Sequence, residues 1–155
     1  MSETSNLLSW VHWALVIAQK LALIGSALFA GALLYRAGYA DPLQRGNSLG
    51  AALRSFREET QPADGKLATL AWLAAVAAAL AFLAGAGMPW LVGAVAEALA
   101  AIYLATELRH TRQALASADP AAEMLASTWL KRWRGQNSWL ALHAAWVPWL
   151  LVFQV

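Results

Sequence analysis

Two ionisable residues, Lys20 and Glu97, lie inside long apolar stretches of the sequence. Lys20 is the one formal charge in the run 10–35, which is long enough to cross a membrane. Charged side chains inside a membrane are costly, usually paired, and commonly functional. Counted at ~1.5 Å per residue from Trp10 and Trp90, Lys20 lies ~15 Å and Glu97 ~11 Å from the same membrane face. We therefore expect Lys20 and Glu97 to face each other inside the membrane.

The pair has a structural interpretation and functional ones. A buried ion pair fixes the register of two helices and needs no further role. In the catalytic interpretation Glu97 is the base of a pocket, with Lys20 beside it. The expected lining of that pocket is Gln19, His143 and Trp146.

The remaining candidates for metal or cofactor ligands are weak. His12 and His143 differ by ~15 Å in depth, which disfavours a haem between them. Glu107 and His110 have the Glu-x-x-His spacing of di-iron bundles, but those sites need two such pairs, so we expect a solvated helix end. The chain has no cysteine, which excludes disulfides and thiolate sites. We expect no metal site and no cofactor.

The composition is typical of a membrane protein. Hydrophobic residues make up 60% of the chain and charged residues 13%, against about 25% charged residues in soluble domains. The net charge of +2, without a basic cluster that carries interleaved aromatics, argues against a nucleic-acid partner. Indoles populate membrane interfaces. The expected interface anchors are Trp10, Trp13, Trp90, Trp129 and Trp133.

The hydropathy pattern predicts an all-α fold, an integral membrane four-helix bundle that forms a single domain over residues 1–155. The membrane helices are expected at residues 8–35, 66–86, 90–108 and 138–153. Two amphipathic interfacial helices are expected in the long connections, one capped by Asn47 or Ser48 and one over residues 121–134. Asp41-Pro42 and Asp119-Pro120 have the cap-and-proline pattern of helix starts.

The distribution of basic residues predicts the orientation. Every Lys and Arg except Lys20 lies in the two long connections or at their edges. With four helices these connections share one face, and the positive-inside rule makes that face cytoplasmic. We therefore expect a multi-pass protein of a bacterial-type inner (plasma) membrane, with both termini on the outer, periplasmic side.

Three segments carry a family resemblance: residues 25–35 (GSALFAGALLY), Asp41-Pro42, and residues 51–57 (AALRSFR). Together with Trp133, just before the last predicted helix, they resemble the anthrone oxygenase-like family. Members of that family are small four-helix integral membrane proteins. The resemblance implies that fold and, as an activity, oxidation of a polycyclic phenolic substrate.

Three functions are compatible with these features, and the sequence leaves open whether the chain is an enzyme. The first is an accessory or assembly subunit of a larger membrane complex, with the lipid bilayer and other membrane subunits or further copies as partners. The alternative is an anthrone oxygenase-like enzyme that oxidises a lipophilic aromatic or quinone-like substrate in an intramembrane pocket. The second alternative is proton or solute transport through a Lys20–Glu97 site.

Overall fold

The computed structural model describes residues 2–38, 48–60, 63–118 and 123–154, and all regular structure in these segments is helical. This confirms the all-α prediction. One π-helical turn, Phe56–Thr60, follows the second helix, and another, Phe82–Ala86, follows the third. The helices are α1 (Ser2–Gly38), α2 (Leu49–Ser55), α3 (Ala63–Ala81), α4 (Met88–Ala105), α5 (Glu107–Ala116) and α6 (Glu123–Val152).

Three stretches within the described segments are long and apolar enough to cross a membrane. They are Ser9–Gly38, Gly65–Ala86 and Met88–Ala116. They correspond to the first three predicted membrane helices and are compatible with a multi-pass membrane protein. The first half of α6 is rich in basic residues, so α6 does not join this group on composition.

The last part of the chain differs from the prediction. An interfacial helix over 121–134 and a separate helix over 138–153 were expected, but Glu123–Val152 is one continuous helix. The reason is a single buried stripe that continues through the polar segment between them. Its members recur every three or four residues: Ala126, Leu130, Trp133, Asn137, Leu140, Ala144, Val147 and Leu151.

Helix α2 begins at the cap that the sequence suggested. The Ser48 hydroxyl accepts a hydrogen bond from the Ala51 amide at 3.3 Å. The Arg57 guanidinium donates to the Ala118 carbonyl at 2.7 Å, which ties this connection to the end of α5. Asn47 and the predicted helix starts at Asp41-Pro42 and Asp119-Pro120 lie outside the described residues.

A tight turn joins α3 to α4. Gly85 has φ 99° and Gly87 has φ 89°, a region that favours glycine because it has no Cβ. Pro89 then lies in the first turn of α4, where its missing N–H leaves no bond unmade. We call the end of the molecule at this turn the hairpin end and the opposite end, where the long connections lie, the connection end.

Each of the four long helices packs against two of the others. α1 packs along both α3 and α6, α3 packs along α4, and α4 contacts α6 more sparsely. The core at the hairpin end is built from alanines of α1 and α3 around Trp90 and Leu151. The core at the connection end contains larger side chains, among them Phe29, Phe56 and Trp133.

The tryptophans expected as interface anchors fall into two groups. Trp10 and Trp13 are 73% and 59% exposed on α1, and Trp129 is half-buried. Trp90 and Trp133 differ from the expectation, because they are 0% and 1% exposed and fill the core. Both lie on the inward stripes of their helices, which the count of tryptophans does not reveal.

Candidate functional site

Lys20 lies closer to the hairpin end of the packed region than the count from Trp10 suggested. Among the described side chains of α1, Leu15 is the first that packs on the core at the hairpin end, on the same cluster as Phe82 and Ala86. The preceding α1 side chains, residues 9–14, are all exposed. Lys20 therefore lies only ~8 Å from the hairpin end of the packed region, since each helical residue rises ~1.5 Å.

The structure does not show the expected Lys20–Glu97 pair. Lys20 is exposed on the outside of α1, whereas Glu97 is 1% exposed and points into the core. Neither carboxylate oxygen of Glu97 has a hydrogen-bond partner among the described residues. Lys20 therefore lies on the outside of the molecule and Glu97 in its core. Gln19, the neighbour of Lys20 in sequence, is half-buried.

Ser26 is the polar neighbour of Glu97. Its side chain is fully buried and close enough to the carboxylate to interact with it. The Ser26 hydroxyl and both carboxylate oxygens nevertheless lack a partner with hydrogen-bond geometry within the described segments. A buried polar group without a partner is unfavourable by roughly 1–3 kcal/mol or more. Such an arrangement is typical of a site that receives its partner from outside the chain.

A cavity of about 460 Å³ lies where α4 and α6 pack sparsely, and Glu97 is part of its wall. Its walls are largely apolar, with small alanines of α4 and α6 opposite large rings. Three of the residues expected in a pocket, Glu97, His143 and Trp146, line it together, whereas Lys20 and Gln19 do not. The other side chains with polar atoms on the wall are Tyr103, Thr106 and Trp139.

The aromatic wall of the cavity is ordered by contacts along α6 and across to α4. The ring centroids of Trp139 and His143 are 3.9 Å apart with an interplanar angle of 31°. Tyr103 lies 5.3 Å from Trp139, centroid to centroid. Residues four apart on a helix share a face, which is why Trp139 and His143 stack. This stack presents a flat surface to the cavity.

Three polar side chains of the wall, Glu97, Thr106 and His143, present acceptors. His143 Nδ1 lies 2.8 Å from the Trp139 carbonyl oxygen. In the neutral ring Nδ1 donates this bond, so Nε2 is left as an acceptor. The Thr106 hydroxyl donates to the Ile102 carbonyl at 2.8 Å, which leaves its oxygen lone pairs to accept. With the Glu97 carboxylate, these groups suit a ligand that brings O–H or N–H donors.

Sequence reasoning missed Tyr103 and Thr106. The available signal was helical spacing, because residues 96, 99, 100, 103 and 106 recur on one face of α4 and its C-terminal end, next to Glu97. Residues 139, 143, 146 and 147 recur in the same way on α6. Each set follows the three-to-four residue period of a helix face.

A second buried cluster closes the connection end. The Arg36 guanidinium lies 5.0 Å from the ring centroid of Trp133, a cation–π contact. Phe56 meets the same indole edge-to-face at 5.5 Å. The Asn137 amide donates to the Trp133 carbonyl at 2.8 Å. These contacts hold α1, the turn after α2, and α6 together.

The weaker candidates stay apart from the cavity. His12 is exposed on the segment of α1 that precedes the core. Glu107 and His110 are both exposed on α5, as expected for a solvated helix end. Within the described segments no group of three metal-binding side chains comes together.

Comparison with family models, with curated proteins and with solved structures returned no match. The resemblance to the anthrone oxygenase-like family therefore stays a prediction.

Proposed function

We propose that the chain is a small multi-pass membrane protein whose α4–α6 cavity binds a lipophilic, hydroxylated aromatic molecule, a phenol or quinol, drawn from the bilayer. The observation that carries this proposal is the buried Glu97 carboxylate, without a partner among the described residues, in the wall of an apolar cavity. An aromatic ring fits the stacked wall of Trp139 and His143, and its hydroxyl groups fit the acceptors.

The proposed membrane arrangement has four spans. The second half of α6 packs on α1 and α4 over the depth that α3 and α4 cross, so it serves as the fourth span. The basic connections then lie together at the connection end, and the positive-inside rule places that end in the cytoplasm. Both termini lie on the outer side in this arrangement.

The cavity has the size and the access that a membrane-borne ligand needs. Its volume of about 460 Å³ falls in the range of ~300–1,000 Å³ that small-molecule sites occupy. Leu99, Ile102 and Trp146 are 61%, 46% and 42% exposed at its rim. In a bilayer this rim faces the acyl chains, so a lipophilic ligand reaches Glu97 without crossing water.

Oxidation of the bound ligand is the catalytic form of this proposal. In a phenol that also carries an activated ring CH₂, as an anthrone does, transfer of a proton from that carbon to Glu97 would give a carbanion, which adds to molecular oxygen. The peroxide anion takes the proton back from Glu97 to give a hydroperoxide. Loss of water from the resulting hydroperoxide converts the CH₂ into a C=O. This is the activity that the family resemblance implies, and it uses Glu97 as the base that the sequence suggested.

A binding titration tests the proposal. The purified protein in nanodiscs is titrated anaerobically with a 2-alkyl-1,4-naphthohydroquinone and with its dimethyl ether, and binding is followed by quenching of tryptophan fluorescence. The hydroquinone should bind at least about tenfold more tightly, since hydrogen bonds to charged groups contribute ~1.5–3 kcal/mol. Glu97→Gln should reduce this preference, whereas Glu107→Gln, a change at an exposed glutamate, should leave it unchanged. Equal affinity for both compounds would overturn the proposal.

An accessory-subunit role is the second candidate, and one observation favours it. α1 begins ~20 Å before Leu15, and its described side chains there, residues 9–14, are exposed, among them Trp10, Val11 and Trp13. Such a segment is available to a partner subunit. Purification from the native host in mild detergent, with and without residues 2–13, tests this role. Co-purification of a stoichiometric membrane subunit that is lost on deletion supports it. A protein that elutes without any other subunit, whether or not residues 2–13 are present, contradicts it.

We do not develop the transport hypothesis into a proposal. It required Lys20 and Glu97 to line one path, and the two side chains lie on different surfaces.

A further inference from the structure

A second concave surface lies on the opposite side of α6 from the cavity, in the groove between α1 and α6. It has a volume of about 380 Å³ and is lined by Leu23, Ala27, Pro148, Trp149, Val152 and Phe153. The rings of Trp149 and Phe153 are 5.4 Å apart, centroid to centroid, and form one wall of the groove. Ala27 is exposed at its floor, where the small side chain leaves room.

Lys20 lies in line with this groove on α1. It precedes Ala27 by seven residues, so the two differ by only about 20° around the helix axis and by ~10 Å along it. Lys20 is on the side of the hairpin end, where α6 also ends at Val152. The extended lysine side chain can therefore place its ammonium where the groove reaches the membrane interface, as snorkelling lysines do.

Lys20 is the one lysine or arginine at this end of the molecule. Every other Lys and Arg lies in or beside the long connections, at the connection end. Glu97 is buried away from Lys20. The other titratable residues on this part of α1 are His12, which is exposed eight residues (~12 Å) before Lys20, and Glu3, 17 residues (~25 Å) before it. A cation on the lipid-facing side of a span is unfavourable unless an anion or water reaches it.

We propose that Lys20 and the α1–α6 groove together bind one anionic phospholipid. The phosphate accepts hydrogen bonds from the Lys20 ammonium, and one acyl chain lies along the groove between Ala27 and Trp149. A phospholipid satisfies both parts of the site, because its charge and its acyl chain are joined over the distance that separates Lys20 from the groove. This site is separate from the cavity at Glu97 and does not depend on the ligand proposed there.

Native mass spectrometry of the protein purified from nanodiscs tests this inference. The nanodiscs contain phosphatidylglycerol and phosphatidylcholine in equal amounts, and the retained lipid is counted for each variant. The wild-type protein should retain one phosphatidylglycerol in preference to phosphatidylcholine. Lys20→Met should lower that preference about fivefold, the effect of one basic residue near an anionic membrane surface. Lys20→Arg should keep it, and Lys66→Met, a matched change at the connection end, should leave it unchanged.

Ala27→Leu separates a phospholipid from a free anion. The larger side chain fills the floor of the groove and leaves Lys20 in place, so loss of the retained lipid shows that the acyl chain is needed. Lys20→Met is expected to fold, because it removes a charge from a lipid-facing position. Undiminished phosphatidylglycerol in Lys20→Met, or in Ala27→Leu, would overturn the inference, as would its displacement by soluble glycerol phosphate.

Discussion

The contact between α1 and α3 and the contact between α4 and α6 solve the same packing problem in opposite ways. A Cβ built on Gly25 would lie 3.1 Å from the Ala74 Cβ, so the backbones of α1 and α3 approach as closely as small residues allow. Between α4 and α6, the rings of Tyr103, Trp139 and His143 share the wall of a cavity of about 460 Å³ with alanines of both helices. Both contacts are rich in alanine, and the large rings of the second contact make the difference.

The two contacts also differ in whether they leave space for a small molecule. Small side chains let helices pack closely inside a membrane, where no hydrophobic effect drives them together. Large rings that contact one another across two helices hold the rest of those helices apart, and the apolar space left between them can accept a ligand. The α1–α3 contact is therefore close-packed, and the α4–α6 contact holds the cavity to which we assign ligand binding.

The largest expected effect comes from enlarging a residue in the close contact. Gly25→Leu should prevent folding or lower the free energy of unfolding by about 3 kcal/mol or more, because the added atoms overlap Ala74. Gly31→Leu is the matched control, since nothing lies within 4 Å of a Cβ at Gly31. Thermal unfolding of both variants in detergent measures the difference. Equal melting temperatures would contradict the view that the α1–α3 contact is the rigid one.

Enlarging a residue in the other contact should block binding and leave the fold intact. Ala100 lines the cavity, so Ala100→Phe places a ring in open space. We expect the affinity for the hydroquinone to fall at least about tenfold, while the melting temperature stays close to that of the wild type. Ala105→Phe, which places the same ring at an exposed position of α4, is the matched control. A loss of stability in Ala100→Phe that matches Gly25→Leu would show that both contacts are equally tight.

The stacked wall should contribute a smaller share of the affinity. Trp139→Ala removes the ring that contacts Tyr103 and His143. The bond from His143 Nδ1 goes to the backbone carbonyl of residue 139 and survives the substitution. Aromatic pairs contribute ~0.5–1.5 kcal/mol, so the affinity should fall about two- to tenfold. Isothermal titration with the hydroquinone measures this. An unchanged affinity would place the ligand away from this wall.

Long apolar stretches predicted the helices well, because the length needed to cross a membrane is set by bilayer thickness. The prediction of two helices in place of α6 was wrong, since charge density around Arg134 suggested a break that the buried stripe overrides. Charged residues indicate which side chains are solvated, whereas the buried stripe indicates which side chains pack in the core. In α6 the buried stripe, not the charge, determined the extent of the helix.

The Lys20–Glu97 pair was predicted from the depth of the two residues, without the direction in which each side chain points. Ala18 and Ala22 are buried, and Lys20 is two residues from each, so it points ~200° away from the inward side of α1. The angular position of Lys20 around the axis of α1 thus follows from the sequence, but which side of α1 faces inward depends on the neighbouring helices. For the cavity, His143 and Trp146 were found from residue type, and Tyr103 needed the packing of α4 against α6.

The finest distinction between the two contacts lies in a pair of glycines. A Cβ at Gly25 would meet the Ala74 Cβ at 3.1 Å, and a Cβ at Gly93 would meet the Leu151 Cδ2 at the same 3.1 Å. The first neighbour is fixed to the backbone of α3, whereas the second is the end of a flexible side chain of α6. Alanine stabilises a helix by about 0.5–1 kcal/mol relative to glycine.

We therefore expect opposite signs for the two substitutions. Gly93→Ala should raise the free energy of unfolding by up to about 0.5–1 kcal/mol, because Leu151 can turn aside into the sparse contact between α4 and α6. Gly25→Ala should lower it, since the α1 and α3 backbones must separate by a few tenths of an ångström to admit the methyl group. Parallel thermal unfolding in one detergent measures both. If the two variants shift the melting temperature in the same direction, the α4–α6 contact does not yield more easily than the α1–α3 contact.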